Sequence, residues 1–525
     1  MSELKLLDCT LRDGGYVNQW KFGETTINEI VHKLTKANID IIELGYLKEI
    51  SDYDPSFTLF PDLEIINKRF CMKNPEQTFA CMINFGDYAL EKIEYQNCPE
   101  NLILRIAFHK EDYINALNYS EKMIKKGMRI FMQPMGTVNY SDAELLELIH
   151  KVNEINPEAF YIVDSFGTLE IRDFRRLLAI AEHNLKDSIQ LGYHSHNNKQ
   201  QAYSNAQYML DVIEKHISLI DVTIFGIGRG AGNLSEELFA EYVNNIFKKN
   251  YKIYYMLEIM DLHLNRIYME NPWGYQLSYY LSAKYNCHPN YATFFSKKNS
   301  LTVSDIDEIF GNMTQKQRLH FSEEVANEIY ENYQKNTIDD SETRKILSQS
   351  LSNREILLLG PGKSINLYKN EIQEYIEHNN PVIIALNYVP TDFEYTYVMC
   401  TNLKRWDNVQ NTDNEKLIVT SNIHTHGDAK LILNYETLEC ETTEIADNVA
   451  IMLLHLLIQL NIKQVKCAGI DGYSGSMEDN YANPEMSLGA NIRTKMQKNK
   501  LLTCEIKRLK ENINISFITP SIYEK

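Results

Sequence analysis

The sequence predicts an α/β protein: an N-terminal (β/α)8 TIM barrel, a helical extension and a C-terminal Rossmann-like α/β domain. Three observations predict it. Eight short apolar runs of strand length alternate with helix-spaced segments through the first 225 residues. The reactive polar residues gather at the C-terminal ends of those runs, where barrels carry their sites. After a polar boundary at residues 341–354, a second alternation of strands and helices begins. The expected boundaries are 1–262 for the barrel, 263–350 for the extension and 351–525 for the last domain.

The eight runs are residues 4–9, 39–45, 79–83, 102–107, 128–133, 160–164, 189–194 and 220–225. Between them lie helical patterns such as Ile27, Ile30, Val31 and Leu34. Eight repeats within about 250 residues is the usual extent of a closed barrel. A doubly wound open sheet also alternates, so the placement of polar residues supplies the second argument. Arg12 and Asp13 follow run one, Glu43 lies near the end of run two, Arg105 lies in run four and His109 follows it. Gln133 ends run five, Asp164 and Ser165 end run six, and His194-x-His196 ends run seven. Residues 263–345 read as helical, interrupted at Cys287-His288-Pro289-Asn290-Tyr291. Residues 356–359 then read as a buried strand, followed by Gly360-Pro361-Gly362-Lys363-Ser364 and a helix. Residues 382–386, 397–400, 417–420 and 465–469 read as further strands.

A chain of 525 residues exceeds what one hydrophobic core supports. The formal net charge of -18 argues against a nucleic-acid partner, because phosphate neutralisation needs clustered Lys and Arg. The nine Cys are scattered, odd in number and without a Cys-x-x-Cys pair, which points to free thiols in a reducing cytoplasm. No signal-peptide pattern opens the chain. The most apolar stretch, residues 449–460, is too short to span a bilayer and reads as a buried helix, so no membrane partner is expected.

His194-Ser195-His196 puts two imidazoles on one side of a strand end, because strand side chains alternate with period two. In a closed barrel Asp13 is close by, across strand eight. Two His and one carboxylate with open positions suit a divalent ion: Mn²⁺ or Mg²⁺ first, with Co²⁺ and Zn²⁺ as alternatives. Run eight leads into Gly226-Ile227-Gly228-Arg229-Gly230-Ala231-Gly232-Asn233, and Asn233 offers a neutral oxygen to the same ion.

The segment Asp8-Cys9-Thr10-Leu11-Arg12-Asp13-Gly14 resembles the D-x-T-L-R-D-G signature of the DRE-TIM metallolyases. His194-x-His196-Asn197 and Gly230–Asn233 are similar to two further motifs of that superfamily, in the right order. Val163-Asp164-Ser165-Phe166-Gly167 is similar to its aldolase branch. The resemblance covers residues 1 to about 245. It implies Asp13, His194, His196 and Asn233 as metal ligands and Arg12 as the group that holds a developing enolate oxygen. It also implies a small-molecule 2-oxo acid and an aldehyde as substrates, and a homo-oligomer. Arg105, Gln133 and Ser165 are then the expected substrate-binding residues. The family's acid–base His, or the early Glu of its acyl-CoA branch, is missing: this chain has Gly14-Gly15-Tyr16. Tyr16, Glu43, His109 and Tyr291 are the remaining catalytic candidates. An aldolase-type lyase acting through the enolate of pyruvate or a related 2-oxo acid is the first reading. An acyl-CoA-dependent Claisen condensation and a non-catalytic barrel are the alternatives.

In the C-terminal domain, the Gly360, Gly362 and Ser364 turn between a strand and a helix could meet a phosphate, and Asp471 after a later strand could meet a ribose or a metal. This pair of segments resembles Rossmann-like domains of bacterial surface-glycan proteins. A nucleotide or nucleotide sugar is the ligand expected there.

Overall fold

The structure, a computed structural model, describes residues 3–298, 301–334, 336–423, 427–440, 442–474, 480–487 and 492–524. The chain divides into two compact units. The first is Met1–Thr293 with Met313–Phe321, and the second is Phe294–Asn312 with Ser322–Lys525.

The first unit is a closed barrel of eight parallel strands wrapped by helices. They are β1 (Leu4–Asp8), β2 (Ile41–Leu47), β3 (Thr78–Asn84), β4 (Leu102–Phe108), β5 (Arg129–Pro134), β6 (Ala159–Asp164), β7 (Gln190–Ser195) and β8 (Ser218–Val222). Every neighbouring pair is parallel, and β1 pairs with both β2 and β8, which closes the sheet. All eight predicted runs are strands, with ends that move by a few residues. The register between β2 and β3 shifts from Glu43 to Tyr46, a bulge that turns the end of β2 toward the barrel mouth.

Two faces of each strand explain the apolar runs. The outer face packs on helices: Ile27, Ile30, Val31 and Leu34 of the helix Glu24–Lys36 join that core. The inner face carries Leu7, Ile41, Ile103, Phe131, Tyr161 and Leu219, a separate apolar plug inside the barrel. Above this plug the inward positions become charged: Glu43, Arg105 and Asp221 are all at most 2% exposed. A barrel interior that turns from apolar to ionic toward the strand C-termini is built for chemistry at that end.

The second unit holds a seven-stranded parallel sheet. Its strands are β9 (Ile356–Leu359), β10 (Val382–Leu386), β11 (Tyr397–Cys400), β12 (Leu417–Thr420), β13 (Leu431–Leu433), β14 (Gln464–Ala468) and β15 (Asn514–Phe517). The spatial order is β13-β12-β11-β10-β9-β14-β15. The winding therefore runs outward from β9 in one direction and restarts on its other side at β14. The helix Val449–Gln459 is apolar nearly all round because it is buried nearly all round. No described helix is long and apolar enough to cross a membrane.

Candidate metal centre and active site

The first part of the site is a locked turn at the top of β1. Thr10 donates through its hydroxyl to Asp8 Oδ2 at 2.5 Å, and its amide donates to Asp8 Oδ1 at 3.2 Å. The same hydroxyl accepts from the Ile224 amide at 2.9 Å, tying the turn to the end of β8. The Arg12 and Asp13 amides both donate to the Cys9 carbonyl. A side chain at Gly14 would place its Cβ 2.2 Å from the Thr10 carbonyl oxygen, so only glycine lets the chain turn here. The Asp-x-Thr-Leu-Arg-Asp-Gly pattern is thus a set of local bonds whose result is to aim Arg12 and Asp13 inward.

Asp13 meets the two histidines at the centre of the mouth. Asp13 Oδ2 lies 3.5 Å from His194 Nε2 and 3.7 Å from His196 Nε2. The three ligand atoms lie within 4.8 Å of one another, and all three residues are buried. The two imidazole rings lie 5.4 Å apart, with their planes at 87°. Asn233 Nδ2 donates to Asp13 Oδ2 at 2.8 Å and to the Ile227 carbonyl at 3.1 Å. Asn233 Oδ1 and Asp13 Oδ1 are buried with no hydrogen-bond partner. Buried oxygens without partners are costly, and a cation supplies what they lack. His194 Nδ1 bonds Asp221 Oδ2 at 2.9 Å, the carboxylate–histidine arrangement that orients a metal-binding imidazole.

The protonation states agree. Burial would raise the Asp13 carboxyl, but Arg12, His196 and His194 outweigh it and hold it well below the usual carboxylate range. Burial pushes His196 down to about 3, so its ring is neutral and able to coordinate. Burial also opposes charge on His194, yet the bonds to Asp13 and Asp221 raise it overall. This donor set, two imidazoles, one carboxylate and one amide oxygen, fits a divalent cation. Cys9 is also near His194 and Asp221, but burial, then Asp221, push its thiol well up, so it stays protonated.

Around this centre runs a closed ring of charges. Arg12 Nη1 lies 3.4 Å from Asp13 Oδ1, and Arg12 Nε donates to Glu43 Oε2 at 2.8 Å. Arg105 donates from Nη1 to the same Glu43 oxygen at 2.8 Å and from Nη2 to Asp221 Oδ2. Asp221 then bonds His194, which returns to Asp13. Gln133, with its amide turned to satisfy both groups, accepts from Arg105 Nη2 at 3.0 Å. Arg105 is fully buried. The structure therefore puts Glu43, Arg105 and Gln133 beneath the mouth, where they hold Arg12 and His194.

The rim is aromatic and basic. Tyr16 is 39% exposed, and its hydroxyl lies 3.0 Å from that of Tyr46. Arg229 sits over the Tyr16 ring at 5.2 Å, donates to the Ser165 carbonyl at 3.0 Å and lies 3.3 Å from His288 Nε2. Burial, then Arg229 and His196, push His288 far down, so it is neutral. Ser165 accepts the Gly136 amide at 2.9 Å. His109 is exposed and packs on the His320 ring, 5.3 Å away. Tyr291 is fully buried and spends its hydroxyl on the His320 carbonyl at 3.2 Å, so it serves as an anchor.

Sequence reasoning missed Asp221, Tyr46 and Arg229 as members of this constellation. Asp221 carried a usable signal: an acid inside an apolar strand is buried only with a partner.

In the second unit, Gly360 and Gly362 approach the loop after β14, and a Cβ on either would lie 2.5 Å from the Gly469 carbonyl oxygen. Asp471 accepts from the Ser364 amide at 2.8 Å and from its hydroxyl at 2.5 Å. The protein's own carboxylate thus takes the amide at the start of the short helix Ser364–Leu367, where a phosphate was expected.

A closed parallel barrel with an Asp-His-His-Asn centre at its C-terminal mouth, and a guanidinium beside it, is the class that fold and site define. Residues 106–262 match the model of the HMGL-like family. The chain is similar to the oxaloacetate decarboxylase of Mycobacterium tuberculosis, 25% identical over 237 residues, 44% of this chain and 67% of that protein. It is also similar to the 4-hydroxy-2-oxovalerate aldolase of Thermomicrobium roseum, 25% identical over 249 residues, 46% of this chain and 67% of that protein. Among solved structures, the carboxyl transferase domain of Rhizobium etli pyruvate carboxylase aligns at a TM-score of 0.46 and 10% identity, over 67% of this chain and 73% of that one.

Proposed function

We propose that the first unit is a divalent-metal-dependent oxo-acid lyase of the aldolase type, working through the enolate of pyruvate or a related 2-oxo acid. The observation that carries this reading is the convergence of Asp13, His194 and His196 beside an Arg12 guanidinium that is itself fixed by Glu43. Asp13, His194, His196 and Asn233 would hold the ion, which, when bound, polarises the 2-oxo group as a Lewis acid.

The remaining work falls to this chain's residues. Arg12 presents one unengaged, buried Nη2. That group donates to the C2 oxygen as charge grows there, which favours the transition state over the ground state. In cleavage of a 4-hydroxy-2-oxo acid, a base removes the C4 hydroxyl proton. The C3–C4 electron pair moves toward the 2-oxo group, an aldehyde leaves, and C3 is then protonated to give the shorter 2-oxo acid. Tyr16 is the group we assign to the C4 hydroxyl. Its hydroxyl is paired with Tyr46 and its ring lies under Arg229 at the barrel mouth. The relatives named for 4-hydroxy-2-oxovalerate and oxaloacetate support the substrate class: in both, a bond to C3 of a 2-oxo acid breaks. The test is pyruvate release, read with a coupled dehydrogenase, from a panel of 4-hydroxy-2-oxo acids and oxaloacetate. Metal-dependent release from at least one is expected; release from none overturns the reading.

A further inference from the structure

At the carboxyl ends of β9 and β14, where the winding of the sheet restarts, there is a cavity of about 210 Å³. Parallel sheets open ligand crevices at such points because the loops on either side diverge. The glycine turn lines this cavity, and there Asp471 already holds the Ser364 amide. Arg405, Lys495 and Lys498 line it as well.

Arg405 is only 8% exposed. Among the described residues it has no carboxylate partner: it donates to the Met486 carbonyl at 2.6 Å and to the Tyr481 hydroxyl at 3.3 Å. Lys495 is 4% exposed, and burial, then Arg405, lower its pKa. The two acids on the cavity are engaged elsewhere, Asp471 with Ser364 and Asp447 with the Asn402 amide at 2.8 Å. A buried guanidinium with no carboxylate partner among the described residues is costly. An anion in the cavity removes that cost. A carboxylate brings one charge; a phosphate brings nearly two and matches the guanidinium fork.

We propose that this cavity is a second ligand site, separate from the metal centre, for a phosphate-bearing small molecule of nucleotide type. Arg405, Lys495 and Lys498 hold the phosphate, and Tyr473 and Tyr481 flank the organic part. The glycine turn serves as packing for the site and does not cradle the phosphate.

Titration calorimetry on the full chain with pyrophosphate, glucose 1-phosphate, CMP, UDP and uridine tests this. At least one of the phosphorylated probes is expected to bind with Kd below about 100 µM, and uridine much more weakly. CMP or UDP is expected to bind more tightly than glucose 1-phosphate; the reverse order would overturn the nucleotide assignment. Arg405→Gln should weaken binding about ten- to a hundredfold. Lys498→Gln, at a half-buried position, carries the test if the first variant does not fold. Lys369→Gln, which breaks an exposed pair with Asp392, should leave affinity unchanged. No binding by any phosphorylated probe, equal binding of uridine and UDP, or unchanged affinity in the folded Arg405 and Lys498 variants would overturn the proposal.

Discussion

Replacing Arg105 by Met should unfold the barrel far more readily than an exposed Arg would. Arg105 is fully buried, and it neutralises two buried carboxylates at once, Glu43 at 2.8 Å and Asp221. Methionine fills similar space but leaves Glu43 with Arg12 alone and Asp221 with His194 alone. Removing one member of a buried ion pair costs about 3–5 kcal/mol. With a urea slope of roughly 3 kcal/mol per molar, the midpoint should fall by about 1–2 M. Trp20, whose indole donates to the Arg12 carbonyl at 2.8 Å, and Trp273 lie in the first unit. Tryptophan fluorescence in a Trp406→Phe background, followed through a urea titration at pH 7, is the assay. Arg105→Lys keeps a charge but loses the fork, and should fall between the two. A loss of less than about 1 kcal/mol, combined with a raised KM and an unchanged kcat, would refute this reasoning. It would mean that Arg105 contacts substrate, the role the sequence first suggested.

Three further outcomes follow from the same site. Metal binding near pH 6 should release about one proton and not two, because His196 is already neutral while His194 is raised; calorimetry in buffers of different ionisation enthalpy measures this. Tyr16→Phe should lower cleavage by roughly a hundredfold with metal affinity unchanged; full activity removes Tyr16 from the mechanism. The third concerns Asp8 and Glu236, buried against each other. Burial lifts Asp8 to about 6, and burial, then the Asp8 charge, lift Glu236 further. Folded values above the unfolded ones mean that the barrel gains from protonation, so this contribution is full below about pH 4 and is lost as pH rises through about 6. Glu236→Gln should therefore raise the urea midpoint at pH 7.5; a lowered midpoint contradicts the account.

The barrel was legible in the sequence because strand pairs buried on both faces write continuous apolar runs, and each run became a strand. The strands β13 and β15 were not. One is three residues long, and the other reads Asn-Ile-Ser-Phe with no unbroken apolar run. The cluster of Asp13, His194 and His196 was legible for a similar reason: they sit at strand ends whose spacing fixes their direction. The support beneath them was harder to read. Glu43 and Arg105 could be placed near the mouth, but only the three-dimensional ring assigns them to holding Arg12 and His194. Asp221 completes that ring from inside an apolar run. Tyr291 misled because a buried tyrosine and a catalytic one look alike until the hydroxyl's partner, the His320 carbonyl, is known. In the second unit the glycine turn lines the cavity proposed as a ligand site, and Asp471, read as a ligand contact, bonds the Ser364 amide.

The central claim is that Arg12 and the Asp13-His194-His196 centre together generate an enolate. Pyruvate in D₂O, followed by the loss of its methyl proton signal, tests it without knowledge of the aldehyde. The metal-loaded chain should exchange the methyl protons, a chelator should stop the exchange, and Arg12→Ala should slow it by about a hundredfold or more. Exchange that survives the chelator, or that is undiminished in the folded Arg12→Ala variant, would contradict the account.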